Sequence, residues 1–385
     1  MRKALHMFSC LVLGALLLGC ARKQEEADLP VLQVRLRIPS AMAETKGEGE
    51  VAASTNEKQL NNLRIWVFLA DAVGDKYPAG TSLGYLSVNP SSLSTEGTQV
   101  FSFTLDEEVA ASEPKPRVNV YALANWSSVP AITSADLLSD KTTMDYLEGL
   151  TLQVVSNDKN KKSFGAYNAV GSISKTPGLP FTACGKNLEM TGSFPVLDVG
   201  TLTLERAVSK VRIVMCQAAD AAGAVKNYAV SSVSIDANQI PQWSALFNAT
   251  SAPLVSEMYE DKALGFITKS TVPALNTQPD AYVYKQGMEA QAYENLIDQG
   301  ISAGVLSNGG TRYIRECDKR LSGTVKFTVD GGTVKSATFR MAEGEVLSRN
   351  HDWIVYLYFV GDQIKFSASW ASWQDGGATT ITPTE

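Results

Sequence analysis

Few residues in this chain have the types and spacing that catalysis requires. Ser172 and Lys175 match the S-x-x-K spacing of serine acyltransferases, but no S-D-N or K-T-G segment follows them. His351 is the one histidine outside the first six residues, and Asp352 beside it is a candidate to orient its imidazole. A lone histidine at the start of a strand more often makes a structural hydrogen bond. We therefore expect no enzyme, and a hydrolase centred on His351 is the third of three functional hypotheses.

Metal and cofactor motifs are equally incomplete. Asp158 and Asn160 resemble the opening of a calcium loop, but Ser163 and Ala169 stand where the loop needs glycine and its closing glutamate. The cysteines beyond residue 20 are odd in number, widely spaced and without metal-ligand spacing; they are Cys184, Cys216 and Cys317. The sequence does not decide whether any two of them form a disulfide. We expect neither a metal nor a cofactor.

The composition excludes one class of partner. The chain has 385 residues, with 34 basic and 40 acidic side chains and a formal net charge of -6. Nucleic-acid binding depends on clustered lysine and arginine, so this balance argues against it. The length is sufficient for two domains.

The N-terminus has the pattern of an export signal. Arg2 and Lys3 precede an apolar run that is too short to span a bilayer. The run ends in Leu-Leu-Gly followed by Cys20, which resembles a bacterial lipobox, where the peptide is cut before the cysteine and the thiol is acylated. Residues 23–26, Lys-Gln-Glu-Glu, resemble the surface-export signal of Bacteroidetes lipoproteins. The sequence thus predicts a signal peptide over 1–19, lipidation of Cys20 and a surface-exposed lipoprotein of the outer membrane.

Period-two hydrophobicity dominates the rest of the chain. The segment VLQVRLRI (31–38) places Val34, Leu36 and Ile38 on one face and charged residues on the other, as expected of a half-buried strand. Further strands are predicted at 63–69, 83–88, 98–105, 117–125, 200–215 (interrupted once) and 228–236, with a hairpin over 321–341 and a terminal pair at 352–361 and 363–373. Helices are predicted at 134–150 and 288–297. Many short strands separated by turn residues indicate an all-β fold of sandwiches with a few short helices.

The predicted domain organisation follows from this pattern. The signal peptide, 1–19, precedes a lipidated N-terminal strand and a polar loop, which together occupy 20–59. An N-terminal β-sandwich domain is predicted for 60–204, and a C-terminal β-sandwich domain for 205–385.

Several segments together resemble one family. LNNLRIWVF (60–68), VNVYALAN ending at Asn125, LTLERAVSKVRIVM, and LSRNHDWIVYLYFVG (347–361) are similar to segments of the fimbrillin-type subunits of Bacteroidales, the type V pilins. The likeness spans nearly the whole chain and depends on the order of the segments together with the lipobox. It implies two transthyretin-like β-sandwich domains and a structural role in a pilus, with other copies or related pilus subunits as partners.

The resemblance also implies a sequence of processing steps. Family members are exported as lipoproteins and cut in the loop after the first strand, usually after arginine; here that loop has Lys46 followed by Gly47. The strand carrying Val34, Leu36 and Ile38 would then depart and be replaced by a strand from a neighbouring subunit. The donor candidate at the C-terminus is marked by alternating apolar residues, which include Ile364, Phe366 and Trp370.

Two alternatives remain beside the fimbrial subunit or adhesin. One is a permanently anchored surface lipoprotein that binds glycans through exposed aromatic side chains. The other is an anchor or accessory subunit of a pilus, which would keep its lipid and its first strand. The partners implied across these readings are other subunits, a host-surface protein or glycan, and the outer membrane through the lipid.

Overall fold

The structure of the chain is a computed structural model. It describes residues 29–38, 57, 59–93, 97–153, 178–218, 226–247, 254–267, 282–283, 304–341, 344–360, 362–372 and 378–381. The signal peptide, Cys20, Lys46, Gly47, the S-x-x-K segment and the helix predicted at 288–297 lie outside these residues.

Strands form most of the first half of the described chain. They are β1 (Val31–Ile38), β2 (Leu63–Leu69), β3 (Ser82–Val88), β4 (Gly97–Thr104), β5 (Arg117–Ala124), β6 (Thr151–Gln153), β7 (Phe181–Glu189), β8 (Thr191–Ser193), β9 (Val196–Thr203) and β10 (Glu205–Arg206). Two short α-helices are described, α1 (Glu107–Ala111) and α2 (Met144–Glu148). Short 3-10 turns cover Pro90–Ser92, Trp126–Ser128 and Ala135–Leu137. None of the helices in the described ranges is long and apolar enough to cross a membrane.

The second half continues in the same style. Its strands are β11 (Ser209–Ala218), β12 (Tyr228–Ile235), β13 (Trp243–Ala245), β14 (Leu264–Ile267), β15 (Tyr282–Val283), β16 (Gly304–Ile314), β17 (Ser322–Val329), β18 (Lys335–Arg340), β19 (His351–Val360), β20 (Gln363–Ser372) and β21 (Ala378–Ile381). The predicted hairpin is confirmed, because β17 and β18 pair antiparallel across the turn that contains Asp330 and Gly331. The predicted terminal pair is confirmed by the antiparallel pairing of β19 with β20.

Two pairs of facing sheets enclose two separate cores, which confirms the all-β sandwich fold. The first pair has the strand orders β4-β1-β9-β8 and β10-β7-β5-β2-β3, and the second pair has β15-β16-β11-β19-β20-β21 and β14-β12-β17-β18. The first core contains buried residues from Leu32 to Val208, and the second begins at Val211. The boundary predicted between 204 and 205 stays a prediction, and the change of core falls a few residues after it.

Contacts from the second half also reach the first core. β13 pairs antiparallel with β6, and the adjoining Leu246 and Phe247 are buried in the first core together with Tyr313. These side chains join the two halves of the chain through apolar contact.

The single helix predicted over 134–150 is wrong. Ser134 does accept a hydrogen bond from the Asp136 amide, but it caps only a 3-10 turn. The Thr142 hydroxyl then accepts from the Ser139 amide and donates to the Leu137 carbonyl, so a side chain takes the groups that a continuous helix would use. A new start at Thr143, which accepts from the Tyr146 amide, gives the short α2.

Asn125 fixes the chain where β5 ends. It is fully buried with a left-handed backbone (φ 55°). Its side-chain Nδ2 donates to the carbonyls of Gln59 (2.7 Å) and Leu179 (2.6 Å), and its Oδ1 accepts from the Asn61 amide (2.8 Å). One amide therefore links three segments that are distant in the sequence.

We expect Asn125→Ala to lower the free energy of unfolding by about 2 to 4 kcal/mol, because three hydrogen bonds of about 1 kcal/mol each are lost. Asn125→Gly loses the same bonds but adopts the left-handed backbone without steric cost, so its loss should be about 1 kcal/mol smaller. Urea unfolding of both variants tests this. Wild-type stability in both would contradict the assigned role of the side chain.

Candidate functional site

The first strand occupies an interior position of its sheet. β1 pairs antiparallel with β4 and parallel with β9, along its whole length on the β4 side. Backbone hydrogen bonds continue past the strand ends: the Leu105 amide donates to the Pro30 carbonyl and the Leu204 amide to the Arg37 carbonyl. β1 does not pair with β2, the strand that follows it in sequence. We call the space that β1 fills between β4 and β9 the first-strand groove.

The side chains of β1 alternate as the sequence predicts. Leu32, Val34, Leu36 and Ile38 have exposed fractions of 0 to 2 % and belong to the first core. The intervening positions are partly buried or, at Arg37, exposed. Full burial of one such aliphatic side chain contributes about 1.5 to 3 kcal/mol, so the four together contribute about 6 to 12 kcal/mol. This figure is an upper value, since the unfolded chain already buries some of this surface.

The wall formed by β9 is irregular opposite Val34. The pairing steps from Gln33 with Asp198 to Arg35 with Thr201, so two residues of β9 lie opposite Val34 and β9 has one extra residue. One of the two is Gly200, whose φ of 82° suits glycine in such a bulge. The Asp198 side chain stabilises the bulge, because its Oδ1 accepts from the Gly200 amide (2.5 Å).

Asp198 also makes an ion pair with the resident strand. Its Oδ2 contacts the Arg35 guanidinium, and the two side chains are 17 % and 39 % exposed. This contact lies on the outer face of the sheet, opposite the apolar face. The groove therefore has an apolar inner face and one charged outer position.

Glu57, just before β2, is the described end of the connection that follows β1. It is completely buried and its carboxylate pairs with Lys210 (2.9 Å), which is also completely buried. The Tyr313 hydroxyl donates to the same carboxylate oxygen, and the Arg206 Nε donates to the Glu57 carbonyl (3.1 Å). Glu57 is thus fixed to residues on both sides of the change of core.

Neighbouring charges set the protonation of this cluster. Burial alone would raise the pKa of Glu57, but Lys210, Tyr313 and Arg206 together outweigh burial and lower that pKa below its usual value. Burial lowers the pKa of Arg206 to about 10, which leaves it cationic at neutral pH. Burial and the adjacent Glu57 raise the pKa of Tyr313, so its hydroxyl stays a donor.

A second buried ion pair joins Arg349 to Glu316, three residues after Tyr313 in the sequence. Arg349 makes a two-point contact with Glu316, with its Nε at 2.7 Å and its Nη2 at 2.8 Å from the two carboxylate oxygens. It also donates to the carbonyls of Ala245 (2.6 Å) and Leu246 (2.7 Å), at the end of β13, and to the Thr182 hydroxyl (3.5 Å). The pair holds the chain after β13 against the start of β19. Sequence reasoning missed both buried pairs, because the partners of each pair are far apart in the sequence and only the fold brings them together.

The candidate donor residues lie in the second sandwich. Ile364, Phe366 and Trp370 belong to β20, which is paired with β19 over ten positions and with β21 at its other edge. Ile364 is partly buried against the second core. β20 and β21 are the last two strands at one edge of their sheet, after β15, β16, β11 and β19.

His351 and Asp352, which were considered for catalysis, are engaged in other contacts. His351 is partly buried, and its Nδ1 lies 2.7 Å from the Arg349 carbonyl. Asp352 makes a two-point contact with Arg212 (2.9 Å for both) rather than orienting the imidazole. Within the described ranges no group of acidic, histidine or cysteine side chains could hold a metal ion.

The described cysteines and tryptophans are mostly covered. Cys184 and Cys317 are free thiols, and burial raises the pKa of Cys184 to about 11, so it is not a thiolate at neutral pH. Among the tryptophans with described side chains, Trp66 and Trp353 are buried and Trp126 and Trp243 are partly buried. These four do not form an exposed aromatic platform.

Comparison with solved structures identifies the fold. A candidate cell adhesion protein from Parabacteroides distasonis superposes with a TM-score of 0.50 at 13% identity, covering 89% of this chain and 97% of that one. The chain has the fold of that protein. The resemblance seen in the sequence is thereby confirmed at the level of the fold.

Two further structures are similar but less closely superposed. The tip fimbrial protein Mfa3 from Porphyromonas gingivalis, with a C-terminal truncation, gives a TM-score of 0.48 at 13% identity, covering 89% of this chain and 100% of that one. A fimbrial assembly protein from Parabacteroides distasonis gives 0.44 at 11% identity, covering 91% and 98%. No protein-family model and no curated protein matches the sequence.

Proposed function

We propose that this protein is a fimbrial structural subunit or adhesin that is exported as a lipoprotein and assembled by strand exchange. The observation that supports this most is the position of β1. It is an interior strand with four buried side chains, yet its only covalent connection to the strands that follow is the segment 39–59. A single cut in that segment would make β1 a separate peptide held only by non-covalent contacts.

Departure of β1 would leave a groove that can bind another strand. Both β4 and β9 would then expose unpaired backbone groups, which readily accept an extended peptide. The apolar positions under Leu32, Val34, Leu36 and Ile38 would be exposed as well. Because about 6 to 12 kcal/mol of burial is lost with them, an emptied groove is stable only when a replacement strand fills it.

In the proposed export route the protein reaches the outer membrane with β1 still in the first-strand groove. Acylation at Cys20 would hold the precursor at the outer membrane, since each buried methylene contributes about 0.8 kcal/mol. While the lipid and β1 remain attached, the groove is filled and the subunit cannot accept a neighbour. Cutting between Lys46 and Gly47 would release the lipid and free β1 in one step.

The contacts of Glu57 would keep the chain downstream of the cut in place. The proposed cut lies upstream of it, and Glu57 is held by Lys210, Tyr313 and Arg206. The new N-terminus would therefore stay attached to the body of the subunit after cleavage. The attachment of Glu57 next to β2 would be kept while the groove empties.

The intact mass of the protein recovered from native cell surfaces tests the proposal. A chain that begins at Gly47 without lipid is expected for a polymerising subunit. A chain that begins at acylated Cys20 and retains β1 would contradict it, and would favour the anchor subunit or the permanently anchored glycan-binding lipoprotein.

We expect Lys46→Ala to block processing and to abolish the ladder of high-mass polymers from intact cells, because the cleavable bond is lost. Gel electrophoresis of cell-surface material without boiling measures the ladder. Lys58→Ala, which removes the other basic residue of the loop, serves as the matched control and should leave the ladder unchanged. Normal ladders from Lys46→Ala would show that Lys46 is not the processing site.

A further inference from the structure

The charged position of the first-strand groove points to how an incoming strand is chosen. Asp198 pairs with Arg35 of the resident strand, and the same carboxylate accepts from the Gly200 amide in the bulge. When β1 departs, Arg35 leaves with it and Asp198 keeps only the bulge contact among those described. A strand that places a cation at this position restores the lost ion pair, and a strand that places an anion there meets repulsion.

The bulge makes this position a fixed point of register. Shifting a strand by one residue turns its apolar side chains to the wrong face. Shifting it by two keeps the faces but moves the charged residue away from Asp198. The one extra residue of β9 also occurs at one place only along β1, between the partners of Gln33 and Arg35. The alternation of apolar side chains therefore determines which face of the incoming strand turns inward. Asp198 and the bulge determine which of its residues pairs with which residue of β9.

The C-terminal part of this chain contains a matching sequence. Residues 33–36 of β1 read Gln-Val-Arg-Leu, and residues 363–366 of β20 read Gln-Ile-Lys-Phe. No other glutamine in the chain is followed by this order of β-branched, basic and large apolar residues. Lys365 is also the only basic residue between 361 and 385. Within that segment, one residue alone can supply the cation.

We propose that Asp198 is the specificity determinant of the groove, and that it pairs with Lys365 of a second copy of this chain. In this register Ile364 takes the place of Val34, Phe366 the place of Leu36 and Ala368 the place of Ile38. Asp362 would fall at the buried position of Leu32, so the inserted segment begins at Gln363 and leaves that position unfilled. The inference rests on the strand exchange proposed above. It adds the alignment of the incoming strand and the charge that the groove requires.

Displacement of β1 by synthetic peptides tests this inference. The chain without its predicted signal peptide is cut in the 39–59 loop and incubated with a peptide of residues 363–372, and native mass spectrometry measures the fraction of β1 replaced. A Lys365→Glu peptide should need an about tenfold higher concentration, equivalent to one lost ion pair of about 1.4 kcal/mol. A Ser367→Glu peptide adds an anion at the next outward position and should behave like the unmodified peptide.

The protein variant Asp198→Asn separates charge from geometry. Asparagine keeps an oxygen that can accept from the Gly200 amide, so the bulge is retained while the charge is removed. On this variant the unmodified and Lys365→Glu peptides should displace β1 equally. Equal displacement on the wild-type protein would overturn the role of Asp198 and leave strand exchange intact. Failure of every peptide to displace β1 would contradict strand exchange itself, and the inference with it.

Discussion

Leu36→Ala is expected to lower the free energy of unfolding of the full chain by about 2 to 5 kcal/mol, the usual loss for a buried leucine shortened to alanine. Leu36 has no exposed surface and lies on the inner face of the groove with Val34 and Ile38. Denaturant unfolding measures the change. The effect should be large because β1 is an interior strand of its sheet.

The matched control lies next to it in the same strand. Arg37 is exposed on the outer face of β1, and Arg37→Ala should change the free energy of unfolding by less than about 0.5 kcal/mol. After a cut in the 39–59 loop, the Leu36→Ala protein should also release β1 faster than wild type. If Leu36→Ala and Arg37→Ala behave alike, β1 does not contribute to the first core as the structure indicates.

Glu57→Gln is expected to destabilise the protein by about 3 to 5 kcal/mol, because it removes one charge of a buried pair and leaves the other. Lys210, the partner, is completely buried, and its other described carboxylate, Asp352, is 3.9 Å away. Thermal or denaturant unfolding measures the loss. Glu113→Gln removes a carboxylate that is 73% exposed and paired with Lys115, and should change stability by about 0 to 1 kcal/mol.

The effect of Glu57 depends on pH in a defined direction. The pKa of Glu57 is lowered in the folded protein from its usual 4.5, so its stabilising contribution is fully present above that value. It is lost as the pH falls through the lower, folded pKa. The difference in stability between wild type and Glu57→Gln should therefore shrink in acid. A difference that is constant from neutral to acidic pH would contradict the assigned ionic role.

The sequence predicted the strands well, because their pattern is local. The alternation in 31–38 follows from the period of two along a pleated strand, and the structure has β1 at those residues. The hairpin at Asp330 and Gly331 follows from turn residues between two alternating runs. The helix over 134–150 failed because serine and threonine hydroxyls compete for backbone groups, which residue spacing alone does not show.

The candidate site could be predicted only in part. The apolar face of β1 is visible in the sequence, whereas its partners are not, since pairing with β4 and β9 depends on contacts between residues far apart in the chain. Glu57 lies at the end of a polar segment, and only the folded arrangement brings it to Lys210 and Tyr313. Nothing in the sequence distinguishes Asp198 from other polar residues of predicted strands. Its proposed role follows from its contacts with the bulge and with Arg35, which only the structure shows.

Locking β1 in place is the most direct test of the central claim that β1 must leave for the subunit to assemble. Gln33 and Ser102 are paired across β1 and β4. Paired residues of antiparallel strands have Cα atoms about 4.5 to 5.5 Å apart, within the range that a disulfide needs. We expect the oxidised Gln33→Cys/Ser102→Cys variant to form no polymers, and to form them once reduced, while each single variant assembles normally. Polymers from fully cross-linked protein would show that β1 stays in the groove, and would contradict strand exchange.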